Sequence, residues 1–246
     1  MICLQSAALR QRFSSCGLDI TGSLEVKGSF DNTDRVSRRD WLVSLCALVL
    51  LALWDSTGWD LSVMRWLGTT YGFVWRDATG LVWLYSASRA AGWAALAWMA
   101  WMAFSGARRD TLNVPYWLGI TVLCLLVVTV LRYASTTSCP WDLAEFGGTA
   151  RYISHWRFLM RDGGTGSCFP SGHASTAFAF FNCYFMFRPS EPKHARRVLV
   201  MVCAAGLIVS LTQIARGAHY PSHTLWTGWW CWTLACAANT VLRLKH

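Results

Sequence analysis

The chain of 246 residues draws 54% of its length from the AVILMFWYC set, only 14% from charged residues, and carries 16 Trp with a net charge of +9. A soluble domain needs about a quarter charged residues to cover its surface, so a soluble enzyme and a disordered chain are excluded. The basic charge sits between apolar runs, which argues against a nucleic-acid binder and leaves a polytopic membrane protein with Trp at the lipid–water boundary.

Residues 1–40 hold six Lys/Arg and five Asp/Glu and no apolar run. Lacking an apolar core and a cleavage site, they do not read as a signal peptide; a disordered cytoplasmic extension is expected. Six apolar runs follow: Trp41–Trp54, Gly80–Phe104, Pro115–Leu131, Ala174–Phe187, Val198–Ala215 and Thr224–Leu242. A span takes about 20 residues, so the first and fourth must borrow flanking residues. The expected fold is therefore all-α: a bundle of six transmembrane helices over residues 41–246, or five spans if the first run only lies in the interface. Arg35, Arg38 and Arg39, then Arg108 and Arg109, then Arg188, Lys193, Arg196 and Arg197, then Arg243 and Lys245 all fall on one side of a six-helix layout. That side is expected to be the cytoplasm, with both termini there. The basic balance then reads as topology and contact with anionic lipid.

The opposite side receives segments 55–79, 132–173 and 216–223. His194 and His246 fall on the cytoplasmic side, whereas His155, His173, His219 and His223 all fall outside. His173 closes Cys168-Phe169-Pro170-Ser171-Gly172-His173 at a helix start. Pro and Gly there expose backbone N–H groups at the positive end of the helix dipole, so Ser171 and Gly172 are candidate phosphate donors, and a His beside them can protonate a departing oxygen. An ordinary helix entry with Ser as N-cap is the plain alternative. The second constellation, Arg216-Gly217-Ala218-His219-Tyr220-Pro221-Ser222-His223, bridges the fifth and sixth helices. Arg216 offers a planar fork to phosphate oxygens and His219 is a candidate nucleophile; a snorkelling Arg with interfacial His is the alternative.

Pro170-Ser171-Gly172-His173, followed by His219 within Gly217-Ala218-His219-Tyr220-Pro221-Ser222, resembles the type 2 phosphatidic acid phosphatase (PAP2) superfamily. The resemblance covers roughly residues 115–235. It implies a metal-free, cofactor-free phosphatase with a histidine nucleophile, His219, and an acid, His173. The family's motifs are Lys-x6-Arg-Pro, Pro-Ser-Gly-His and Ser-Arg-x5-His-x3-Asp. Read back from Pro140, the first becomes Arg132 at the Lys position and Cys139 at the Arg position. Arg132 keeps a cation for phosphate at the outer end of the third helix. The third motif's Ser-Arg becomes Thr212-Gln213, and Arg216, about one helical turn on, is expected to supply the displaced charge. His223 replaces the Asp that would orient the nucleophile; either it acts weakly in that role, or Asp142, Glu145 or Asp162 takes part.

The outer loop, about 133–172, is too long for a plain connector. Arg151, Arg157 and Arg161 with Tyr152, His155 and Trp156 fit either a lid gripping a phosphorylated headgroup or a solvated basic loop. Of the ten Cys, Cys3 and Cys16 fall in the cytoplasmic tail and Cys46, Cys124, Cys183, Cys203, Cys231 and Cys236 in helices. Cys139 and Cys168 alone fall on the oxidising outer side, each beside a motif, and a disulfide between them is expected to pin the first motif to the second. No spacing suggests a metal site: His219 and His223 are four apart, without an evident third ligand. Arg89, inside the second run, is costly there and is expected to snorkel to the outer boundary.

The expected activity is hydrolysis of a lipid phosphate: phosphatidic acid, phosphatidylglycerol phosphate, a polyprenyl pyrophosphate or a lipid A type, with the basic loop favouring a multiply charged headgroup. The expected location is a bacterial plasma membrane with the site facing outward. A lipid-to-lipid phosphotransferase of the same fold and a non-catalytic protein with a degenerate site are the alternatives. A transporter is disfavoured by the absence of a broken helix with midplane charge pairs.

Overall fold

The structure, a computed structural model, describes residues 20–106, 112–157 and 159–244, with side chains from residue 37 onward. Arg108, Arg109, Lys245, His246, Cys3 and Cys16 lie outside the described residues. The chain divides into two compact units, Met1–Leu42 and Val43–His246. The elements in order are α1 (Ile20–Thr57), α2 (Trp59–Leu67), strands β1 (Gly68–Thr69) and β2 (Gly72–Phe73), α3 (Thr79–Phe104), α4 (Val114–Ala134), two 3₁₀ turns (Pro140–Asp142 and Ala144–Phe146), α5 (Gly172–Phe178), α6 (Phe181–Phe187), α7 (Pro192–Ala215) and α8 (Pro221–Leu244). The fold is all-α apart from the antiparallel β1–β2 pair, in register Gly68↔Phe73 and Thr69↔Gly72.

Among the described residues, Ser37–Thr57, Val114–Ala134 and Pro192–Ala215 are long and apolar enough to cross a membrane. The α3 and α8 helices have the length, at 26 and 24 residues, but Trp, Ser and Thr dilute their hydropathy. The α1 backbone begins at Ile20, ahead of the first apolar run. One expectation is corrected. The fourth run is not one helix: it breaks at Ala179–Phe180, where the Phe180 amide reaches Ala177 and the Asn182 amide nitrogen donates to the Ala179 carbonyl (2.7 Å). A side chain that competes for a backbone acceptor in this way interrupts the helical ladder.

The two short helices α5 and α6 form the centre, packed by α3, α4, α7 and α8. Close approach is bought with small residues: a side chain at Gly206 of α7 would run into the Phe178 ring, and one at Gly92 of α3 would meet the Thr176 carbonyl at 2.8 Å. The main core joins Val114, Trp117, Cys124 and Val128 of α4 to Phe181 and Phe185 of α6 and to Cys231 and Ala235 of α8. A second cluster of Met64, Phe73, Leu143, Phe146, Ala150 and Tyr220 underpins the loops at the other end. Leu45, Val49, Leu50 and Leu53 of α1 stay exposed, as a lipid-facing helix requires.

Gly217, in the α7–α8 connection, combines φ +73° with a Phe73 ring only 2.3 Å from where a Cβ would sit. Gly217→Ala is therefore expected to cost about 1–3 kcal/mol in strain and overpacking, read as a lowered thermal midpoint in detergent. Gly119→Ala, with open space around the new methyl, should leave the midpoint level or raise it; a Gly217→Ala midpoint equal to wild type would contradict the packing.

Candidate active site

Two loops meet at the site. The first enters α5 through Ser171, whose Oγ accepts from the Ala174 amide (3.3 Å). The second runs from Arg216, at the end of α7, to Pro221, at the start of α8. Three bonds hold them together: the Ser171 amide donates to the His223 carbonyl (3.1 Å), the Thr227 hydroxyl donates to the Ser171 carbonyl (3.0 Å), and a His223 Nδ1 contact of 2.9 Å joins the Cys168 carbonyl. His173 and His219 are thereby brought to 2.8 Å, Nδ1 to Nε2. Ser171, expected to offer its amide to phosphate, uses it on His223 instead and is a structural residue of the turn.

Cys139 and Cys168 are joined by a disulfide with Cα atoms 5.2 Å apart, closing a separation of 29 residues. The Cys168 sulfur lies 3.4 Å from His219 Nδ1. A disulfide sulfur carries no hydrogen and can only accept. The proton of a neutral His219 therefore belongs on Nδ1, its lone pair on Nε2, and His173 Nδ1–H donates to that lone pair. His223 does not orient His219 as expected, because its Nδ1 is engaged by the Cys168 carbonyl. The other candidates lie elsewhere: Asp162 accepts from Ser138 and Gly164, Asp142 from Thr165, and Glu145 from Arg65.

Three guanidinium groups surround the pair. The Arg132 Nη1 lies where a Cβ on Gly172 would come within 3.0 Å of it, so a side chain there would press on the guanidinium, and Arg132 Nε is buried with no hydrogen-bond partner among the described residues. Arg216 donates from Nε to the Arg76 carbonyl (2.8 Å) and stands 5.4 Å above the Tyr85 ring. Arg89, expected to snorkel, donates to the Tyr85 hydroxyl (2.9 Å), and the Tyr85 ring meets His173 edge-on at 5.0 Å. Burial, followed by the charges of Arg132, Arg216 and Arg89, lowers His173 to about 4. Burial, then His173, His223 and Arg132, holds His219 well below its ordinary 6.5. Burial and then His155 do the same to His223, against the pull of its Cys168 bond.

The sequence gives no local signal for Tyr85 or for Asp60. Asp60 accepts from the Ser222 amide (3.0 Å), the Ser222 hydroxyl and the Trp54 indole (2.9 Å), fixing the start of α8 between the two histidines. Burial raises its carboxyl above the ordinary 3.8, against those bonds. Asp55 accepts from the Trp156 and Trp226 indoles, and the buried His155 stacks on Phe169 at 4.1 Å. His155 is thus a buried packing residue, whereas Trp156, though its indole is tied to Asp55, is exposed together with Arg151, Arg157 and Arg161. Among the described residues, two groups bring three potential metal ligands together: Asp55, Asp60 and His155, and Cys139, Cys168 and His219, whose sulfurs are tied in the disulfide.

Fold and site define a helical membrane protein with a paired-histidine centre set in guanidinium charge. The family model of the PAP2 superfamily matches residues 113–245, more than half of the chain, and the chain belongs to that family. No curated protein and no solved structure matches it. Membership implies phosphatase-type activity on a phosphorylated substrate.

The disulfide closes a long loop next to the histidine pair. Its reduction should remove about 3–4 kcal/mol in the chain-entropy model, seen as a fall in thermal midpoint with a non-thiol reductant. A midpoint insensitive to reduction, with both thiols shown free by labelling, would refute the stabilising role.

Proposed function

We propose that the chain is a metal-independent lipid phosphate phosphatase that works through a phospho-histidine on His219. The 2.8 Å contact between His173 Nδ1 and His219 Nε2, beside an Arg132 whose Nε has no hydrogen-bond partner among the described residues, carries the reading. It pairs an unprotonated nucleophile with a proton donor at a spot already dressed for an anion. Phosphate oxygens are bound by Arg132 and Arg216, with the Gly172 backbone lining the spot. Their charge is fixed before reaction, so it stabilises the transition state without reorganisation.

His219 Nε2 attacks phosphorus, and Nδ1–H against the Cys168 sulfur keeps the ring in the attacking tautomer. The negative charge of the bound phosphate offsets the guanidinium charge and favours the protonated form of His173 against the cost of its burial; it then donates to the leaving oxygen. Water, activated by the now neutral His173, attacks the phospho-histidine, releases phosphate and restores His219.

Membrane features support a lipid substrate. A cavity of about 170 Å³ between α3, α4 and α5 is lined by Trp93, Leu96, Leu125 and Phe180 and includes Gly172, next to His173. An apolar chain fits there with its phosphate at the pair. In this reading the chain has six spans, α5–α6 forming the fourth, and both termini are cytoplasmic. A disulfide beside the catalytic pair supports an outward-facing site on the oxidising side of a bacterial plasma membrane. Phosphatidic acid, phosphatidylglycerol phosphate, polyprenyl pyrophosphate and lipid A phosphates all fit it.

Phosphate release from such a panel should survive EDTA and fall to background in His219→Ala. His173→Gln should lose about 10²–10⁴-fold. Acid quenching with labelled substrate should trap label on wild type but not on His219→Ala; release abolished by EDTA, or retained by His219→Ala, would sink the reading.

The pH profile gives a second check. Attack needs neutral His219, whose protonation is pushed well below 6.5. The acidic limb of kcat/KM should therefore lie below 6.5, activity persisting as pH falls through that value and fading only on further acidification. A limb at or above 6.5 would contradict a buried neutral nucleophile.

A further inference from the structure

Among the described residues, Tyr85 is the aromatic side chain in contact with both the histidine pair and two guanidinium groups. Its ring meets His173 at 5.0 Å, Arg216 stands 5.4 Å and Arg89 5.6 Å from its centre, and its hydroxyl accepts from Arg89. Tyr85 and Arg89 are four apart on α3, so one helix face presents both. Among the described residues, no carboxylate pairs with Arg89, Arg132 or Arg216. Three uncompensated guanidinium groups exceed what one phosphate dianion neutralises, and their placement is asymmetric. Arg132 lies against Gly172 at the α5 entry, whereas Arg89 reaches the site through Tyr85 on the face of His173.

His173 is the residue that faces the leaving oxygen in the mechanism above. A cation carried against it stabilises negative charge on the departing group. An alcohol leaving group takes a proton and departs neutral; a phosphate leaving group departs as an anion. We infer that Tyr85 and Arg89 form a subsite for a second phosphate and make the chain selective for lipid diphosphates over monophosphates. The inference rests on the phosphatase reading. In the balanced step, His219 Nε2 bonds to the terminal phosphorus as the bridging P–O bond breaks. The lipid monophosphate leaves with its new charge on Arg89 and Arg216. Water then cleaves the N–P bond, its proton passing to His173, and inorganic phosphate departs.

The test compares farnesyl diphosphate with farnesyl monophosphate, the same chain with one phosphate or two, using the purified full chain and a phosphate-release readout. Wild type should show at least a tenfold higher kcat/KM on the diphosphate. Arg89→Gln should lower the diphosphate-to-monophosphate ratio at least tenfold, mostly through kcat, and Arg89→Lys should restore part of it. A thermal midpoint within the wild-type range shows that the variant folds, and Tyr85→Phe, which keeps the ring and removes the acceptor of Arg89, gives an independent reading of the same ratio. An unchanged ratio in both Arg89→Gln and Tyr85→Phe overturns the subsite while leaving the phosphatase reading intact. A wild type that prefers the monophosphate also overturns it. Wild type releasing phosphate from neither compound, nor from any other lipid phosphate, overturns the phosphatase reading and the subsite together.

Discussion

Everything at the site depends on two loops from different helix pairs being held within one hydrogen bond of each other. His173 heads a seven-residue helix and His219 sits in a short connection 46 residues later. Neither element could fix the distance alone. The Ser171–His223 and Thr227–Ser171 bonds join backbone to backbone and side chain to backbone, and Asp60 anchors the far end of the second loop through Ser222. Because buried polar groups are costly when unpaired, each bond in this chain is enforced by its neighbours. The histidine contact is the outcome of a network rather than of a single strong interaction.

Charge is arranged with the opposite logic. Carboxylates near the site are occupied by packing groups: Asp55 by two indoles, Asp60 by Ser222 and Trp54, and Asp162 by the Ser138 turn. None faces the histidine pair. Guanidinium groups face it instead, and burial first, with their charge added, holds both imidazoles below their ordinary protonation point. A site whose positive charge is left unmatched within the protein holds its complement in solution or in a substrate, and binding then changes the protonation of the residues that react.

The long apolar runs were legible in the sequence because hydropathy is a local property. Pro115–Leu131 and Gly80–Phe104 fall within α4 and α3 to within a few residues at each end. Helix continuity was not legible: the break at Ala179 turns on one Asn side chain, and α1 runs through Gly and charged residues that composition alone assigns to coil. At the site, His173, His219, Arg132 and Arg216 were readable because each lies in or beside a motif. Tyr85 and Asp60 were not, and Arg89 stood out only as a charge within an apolar run, since all three reach the site from segments about 80–160 residues away in the chain, and such contacts leave no periodic trace. His223 was placed correctly beside the pair and assigned the wrong partner, because spacing cannot show which way an imidazole turns.

The sulfur at His219 Nδ1 ties reactivity to the history of the chain. Before Cys139 and Cys168 are oxidised, the position holds a thiol that can itself donate a proton, and the imbalance between the two ring nitrogens disappears. In the reduced chain the sulfur no longer selects which nitrogen of the His219 ring carries the proton, so the tautomer seen beside His173 is a property of the oxidised fold.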